Sequence, residues 1–421
     1  MSVHGELWTI RELFVMPNEY IYWSIQIVMY PFMTGLVAGA FVLSSLYHVI
    51  GIKQLKDIAR FALVFSFALL PGALLPLMLH LQHPERGINV LMTPHFVSAI
   101  AAFGIVFSAY FAIVALEIWF VYRKYFIEQS QALKKVPGKT FWRRVRYVVY
   151  TVLTLGSFDL SEKAQRTDAR AIKILAGVGI PVALFLHGYA GFIFGSVKAN
   201  ALWMTPLMPV IFICSAVVSG IALSMLTYIA TMEIRKLLAR RKHTTAETSE
   251  ARKDIAGVEV HAIQMTSRYL LMFLILAISL ELLDLIFRTY TAVKSWDALR
   301  SSIYGSEFVQ IFILQYGLGN AVPLILLLIP RISVRRAFVA VCLVLFGVFM
   351  MRWNVVIGGQ SISLTFHGFL HYVLPIVPDS VEAVREGLFG ALGVLLFPFV
   401  LFYIYAKFLP VFPAHEPLDA A

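Results

Sequence analysis

The sequence predicts an all-α integral membrane protein of about nine transmembrane helices, two four-helix bundles plus one C-terminal helix. Three observations predict it. Of 421 residues, 59% are hydrophobic and 14% charged, where a soluble domain carries about a quarter charged. Long apolar runs alternate with short basic stretches, the pattern of repeated membrane spans, and mean hydropathy is +0.79. The basic residues then sort onto alternate connections, as the positive-inside rule requires.

The spans fall near 20–50, 58–81, 94–121, 171–196, 206–234, 265–290, 308–329, 335–355 and 388–409. Each reaches the ~20 residues a helix needs to cross the bilayer core. No basic–apolar–small leader pattern precedes the first run, so it is expected to stay as a span. With the N-terminus outside, 27 of the 35 Lys and Arg lie on the inner side and 8 on the outer, and twelve of the inner set fall in 123–173. The expected location is therefore a bacterial cytoplasmic membrane, multi-pass, with the C-terminus in the cytoplasm. The run 147–158 is too short to cross and follows Arg143, Arg144 and Arg146, which suits an amphipathic helix on the inner surface. The organisation expected is a periplasmic segment (1–19), a first four-helix bundle (20–197), a second bundle (198–356), and an outer loop, ninth helix and cytoplasmic tail (357–421). Val37-Ala38-Gly39 through Tyr47 resembles Val218-Ser219-Gly220 through Tyr228, so a parallel repeat about an axis along the membrane normal is one reading.

The two cysteines, Cys214 and Cys342, lie in apolar runs without a CxxC or CxxCH pattern, which argues against an iron–sulfur cluster or c-type haem held by this chain. The net charge of +11 is confined to one side and does not point to nucleic acid. Polar groups inside spans are the candidates for chemistry. His80 ends span 2, His95 opens span 3, and His187 lies on the order of 13 Å inside span 4. Gln26 and Tyr30, at i and i+4, share a face of span 1. Each histidine alone reads equally as an interfacial side chain bonded to a carbonyl. Glu281 and Asp284 in span 6, with Arg288 and Arg352, form an ion-pair set or a proton path. Glu117 is expected near the inner interface. Thr93-Pro94 and Thr205-Pro206 carry the cap-plus-proline signal of a helix start. The outer turn His83-Pro84-Glu85-Arg86 is a candidate docking element.

Leu79 through Arg86, Phe185 through Gly195, Leu202 through Pro209 and Arg352 through Gln360 resemble the NrfD/polysulphide-reductase membrane subunits in order and spacing. The likeness covers most of 20–372 and is nearest the branch found with hydrogenase, sulphite-reductase-associated and multihaem complexes. The sequence departs from the family's usual runs at His80-Leu81-Gln82-His83 and at Gln26 and Tyr30.

The resemblance implies a quinone pocket near the outer face, with menaquinone or ubiquinone as bound substrate and no haem or iron–sulfur cluster in this chain. It also implies a ferredoxin-like iron–sulfur subunit docked at the outer face, relaying electrons to further catalytic or multihaem subunits. The chain is then an electron-transfer subunit rather than a complete enzyme. The quinone ligands expected are Gln26, Tyr30, His80, His95 and His187, with His83, Glu85 and Arg86 at the docking surface. Two other readings compete. A b-type haem cytochrome would use the histidines as axial ligands, and a proton-coupled transporter would use Glu117, Glu281 and Asp284.

The topology is directly testable. A reporter fused after Lys407 should be active only in the cytoplasm, and one inserted in 196–205 only outside. A periplasmic C-terminal reporter would overturn the nine-span arrangement.

Overall fold

The computed structural model describes residues 20–52, 55–135, 141–197, 200, 202–243, 260–291, 296–362 and 369–411. The basic and polar residues of 1–19, including His4, and those of 244–259 lie outside this set, as do His367 and His415. Nine helices among the described residues are long and apolar enough to span. They are α1 (Ile25–Ser45, continued by a π-helical turn Leu46–Ile50), α2 (Lys56–His80), α3 (Ala99–Lys135), α5 (Glu162–Gly195), α6 (Met208–His243), α7 (Val260–Thr291), α9 (Val309–Leu328), α10 (Val334–Trp353) and α12 (Leu388–Phe408). Three shorter helices join them: α4 (Phe141–Leu153), α8 (Trp296–Ile303) and α11 (Val381–Glu386).

The first four spans, α1, α2, α3 and α5, pack together, as do α6, α7, α9 and α10. The ninth, α12, lies against α2 and α1, with Pro398 seated over Gly72. The two groups meet where α1 packs along α6 and α10. Every residue of α1 is buried, which no lipid-facing helix could show. Its sequence permits this because small residues let backbones approach. A Cβ on Gly39 would lie 2.8 Å from the Gly220 Cα, and one on Gly220 would strike the backbone of Gly39 and Ala40. The two segments with similar sequence thus face one another, the contact that a parallel two-fold arrangement would bring about. A second glycine pair, Gly319 on α9 and Gly347 on α10, closes the other group in the same way.

Two expectations are corrected by the helix boundaries. Span 3 does not begin at Pro94: α3 starts at Ala99, and Thr93 instead ends a four-residue turn, Asn89–Met92, its hydroxyl donating to the Asn89 carbonyl at 3.2 Å. At its other end α3 runs to Lys135, 37 residues in all and about 55 Å long, so it projects past the bilayer. Glu117 lies in mid-helix and is fully buried, with His48 Nδ1, from the last turn of the first span, 3.3 Å from its carboxylate. The C-terminal extension of α3 is pinned to α5 by Arg123, whose guanidinium donates to both oxygens of Asp168 at 2.9–3.0 Å. The amphipathic helix is α4; it buries Tyr150, whose hydroxyl donates to the Phe408 carbonyl at 2.9 Å, and exposes Phe141, Trp142, Val148 and Val152. Burial of the Tyr150 phenol raises its pKa above the ordinary value.

The α1–α6 crossing predicts a sharp size limit. Gly39→Val should lower the thermal unfolding midpoint of the purified chain by the equivalent of about 1–3 kcal/mol or more. Gly177→Ala, where an added Cβ meets nothing within 4 Å, should leave it unchanged or raised. A wild-type midpoint for Gly39→Val would refute the backbone contact.

Candidate functional site

Three polar clusters stand out among the described residues. The first gathers at the N-terminal ends of α1 and α12 and the C-terminal end of α2. Ser24 caps α1, its hydroxyl accepting the Gln26 N–H at 3.2 Å, and donates to the carboxylate of Glu386 in a short hydrogen bond. His80, the last residue of α2, places Nδ1 3.0 Å from the same carboxylate oxygen. A carboxylate only accepts, so His80 Nδ1 carries a proton. Burial raises the Glu386 pKa, but the hydrogen bonds from His80 and Ser24, with the charges of His80 and Arg385, outweigh it and hold the carboxyl below the usual range. Its folded value is depressed, so the pair stabilises the protein at neutral pH and is lost as the pH falls through the carboxylate range.

Gln26 is fully buried beside this pair. Its Nε2 donates to the Arg385 carbonyl at 2.6 Å, while its Oε1 accepts nothing among the described residues. Tyr30, one turn deeper, is buried edge-on against Phe103 at 5.4 Å. The loop that carries Arg385 and Glu386 is tied to the start of α1 by the Ile25 N–H, which donates to the Tyr372 hydroxyl at 3.1 Å. Burial holds that phenol above its ordinary pKa.

The second cluster lies at the seam between the helix groups. Arg352 is fully buried, and its Nη2 donates to His187 Nε2 at 2.9 Å and to Ser215 Oγ at 2.6 Å. Its guanidinium stacks 3.7 Å over the Phe212 ring. Because a guanidinium only donates, His187 is held as the neutral tautomer with its proton on Nδ1, which faces Thr34 Oγ1 at 3.3 Å. Both ring nitrogens of His187 are thus occupied within the protein. Among the described residues Arg352 meets no carboxylate within 4.0 Å.

The third cluster belongs to the second helix group. Asp284 pairs with Arg288 at 2.8 Å and accepts the Thr205 hydroxyl at 2.5 Å, while Arg288 also donates to the Leu202 carbonyl at 3.1 Å. Thr205 accepts the Leu207 N–H at 3.2 Å, just ahead of α6, which starts at Met208 rather than at Pro206. Glu281 accepts from Gln315 at 2.9 Å, and Gln315 in turn accepts from Asn354 at 2.7 Å. Gln315 and Asn354 both lie in π-helical stretches, Val309–Ala321 and Asn354–Gly358, which recur at functional sites. A cavity of about 110 Å³ opens among Glu281, Asp284, Arg288, Gln315, Tyr316 and Asn354, with apolar walls that include Met208 and Ile303.

Of the residues expected at one quinone site, the structure brings Gln26 and His80 together through Arg385 and Glu386, with Tyr30 a turn below. It places His187 at the seam with Arg352. His95 lies exposed in the turn ahead of α3. His83 and Glu85 pair at 3.0 Å on the exposed turn Pro84–Arg86, with Arg86 also exposed. Glu386, Arg385 and Ser24 were not singled out by sequence. The one signal for them was an Arg-Glu pair immediately before the ninth span. No group of three or more His, Cys, Asp or Glu able to hold a metal occurs among the described residues.

Comparison with known proteins gives this architecture its place. The family described as Polysulphide reductase, NrfD matches residues 15–363. A selenate reductase subunit of Mesobacillus selenatarsenatis is 35% identical over 217 residues, 50% of this chain and 49% of that protein. A putative dimethyl sulfoxide reductase membrane subunit of Halobacterium salinarum is 24% identical over 82% of this chain and 69% of its own length. The Hdr-like menaquinol oxidoreductase integral membrane subunit of Archaeoglobus fulgidus is 25% identical over 51% of this chain and 43% of its own. The chain thus spans about half the length of the first and third of these relatives. From nine membrane-spanning helices and a match over most of its length, the chain belongs to the NrfD polysulphide reductase family.

Proposed function

We propose that the chain is the quinone-reactive membrane subunit of a multi-subunit oxidoreductase, working in the outer half of the first helix group. The observation that carries this reading is the His80–Glu386 pair beside the buried Gln26. Quinol oxidation releases two electrons and two protons, so a site needs hydrogen-bonding groups for the oxygens and a base for the protons. With its Nδ1 proton held by a carboxylate, the neutral imidazole of His80 would present Nε2 as that base. Among the described residues Gln26 Oε1 is a buried acceptor without a donor, a state costing about 1–3 kcal/mol that a ligand hydroxyl would relieve. Tyr30 and the apolar side chains around it would flank the ring.

One relative is named as a subunit of a menaquinol oxidoreductase, and menaquinone or ubiquinone is the substrate class this chemistry suits. The electrons would pass to a partner, a ferredoxin-like iron–sulfur subunit at the outer face. The exposed turn with His83, Glu85 and Arg86, three to six residues beyond His80, is the surface we assign to docking it. Further catalytic or multihaem subunits would complete the complex, in a bacterial cytoplasmic membrane with the N-terminus outside. Arg352 and His187 act in this reading as the brace between helix groups rather than as ligands.

A second reading is favoured by one observation, the cavity among Glu281, Gln315 and Asn354, whose mixed polar and apolar lining also suits a quinone ring. The two sites are separable by mutation. In the assembled complex, His80→Gln and Glu386→Gln should each slow quinol-dependent electron transfer by ~100-fold. Gln26→Leu should raise KM for quinol up to about tenfold, the loss of one hydrogen bond. His187→Leu should lower the yield of assembled protein instead, because it leaves Arg352 buried without its acceptor. Wild-type rates in assembled His80→Gln and Glu386→Gln, with loss of rate in Glu281→Gln, would move the site to the second cavity.

A further inference from the structure

A cavity of about 420 Å³ lies at the opposite face from both outer clusters. Its walls come from the first turns of α7, through Gln264, Ser267 and Arg268, and from the connection between α9 and α10, residues 327–332. These are the inner ends of three spans, the side to which most of the basic residues sort. Arg268 and Arg331 both line the cavity and are exposed, and neither is engaged by any partner among the described residues. Among the described residues no Asp or Glu lines it.

The connection is built to hold this shape. Arg336 spends its guanidinium on the wall itself, Nη2 donating to the Ile329 and Pro330 carbonyls at 2.8 and 3.0 Å. Ser333 caps α10 by accepting the Arg336 N–H at 3.3 Å. Between them Arg331 is kept at φ 55°, a left-handed conformation that residues with a side chain seldom adopt. The result is a roomy polar cavity at the depth of lipid headgroups, carrying two unpaired guanidinium forks. Such forks match the oxygens of a phosphate, and basic pockets between spans at this face suit anionic headgroups. The volume falls within the ≈ 300–1,000 Å³ of small-molecule sites.

We propose that this inner-face cavity binds a phosphate group through Arg268 and Arg331, presented by the headgroup of an anionic phospholipid; free phosphate shares the same chemistry. The assignment is independent of where quinone binds.

The test uses the purified full-length chain in neutral detergent, titrated with phosphatidylglycerol, phosphatidylcholine or inorganic phosphate while the thermal midpoint is followed. Phosphatidylglycerol should raise the midpoint and phosphatidylcholine should not. Replacing both arginines (Arg268→Gln with Arg331→Gln) should weaken the phosphatidylglycerol response by about 30-fold in concentration, from two surface cation contacts. Arg331→Gly keeps folding within reach, since glycine accepts the left-handed backbone, and should weaken it about 5-fold. Arg143→Gln with Arg144→Gln, on α4, should leave it intact. A midpoint raised by millimolar phosphate, with the same dependence on the two arginines, would support the site with free phosphate as its source. Equal responses to all three probes in the wild type, or a wild-type response in both arginine variants, would overturn it.

Discussion

The contact on which the arrangement depends is the crossing of α1 with α6 at Gly39 and Gly220. Lipid is as apolar as the helices it bathes, so helix association in a membrane relies on close packing and internal hydrogen bonds rather than on the hydrophobic effect. Two glycines facing one another let the backbones of the two helix groups touch. That approach buries α1 on every side. It also sets the depth at which Thr34 and His187 from one group meet Arg352 and Ser215 from the other. A guanidinium at this depth is costly unless it is hydrogen-bonded or stacked, and the imidazole and hydroxyl at its Nη2 and the Phe212 ring against its face supply those contacts.

Much of the fold was legible in the sequence because hydropathy reports directly on the bilayer. Nine apolar runs became nine spanning helices. What hydropathy does not report is where a helix stops once it has left the membrane. The residues from Tyr122 to Lys135 are polar enough to look like a loop, yet they continue α3 because Arg123 is locked to Asp168 of α5. At the other end of the same helix, Thr93 and Pro94 carry a start signal that the preceding turn uses instead.

The candidate site was legible in part. Gln26 and His80 stood out because polar groups in spans are rare. Glu386, the partner of His80, did not, because it lies on a six-residue helix outside any span and is 306 positions from His80 in sequence. Only the packing of α12 on α2 and α1 brings it there. The reverse holds for His187 and His95. Their spacing in sequence suggested convergence with His80, but His187 turns toward the other helix group and His95 stays in the surface turn.

The proposed substrate chemistry lies at the His80–Glu386 pair, close to the turn through which a partner would receive electrons. Photoaffinity labelling tests this most directly. An azido-quinone bound to the membrane complex and activated by light should attach within 24–30 of α1, at His80, or within 385–390. Labelling should be suppressed by excess unmodified quinol. Attachment instead to residues of the second helix group around Glu281, Gln315 and Asn354, equally suppressed by quinol, would contradict it.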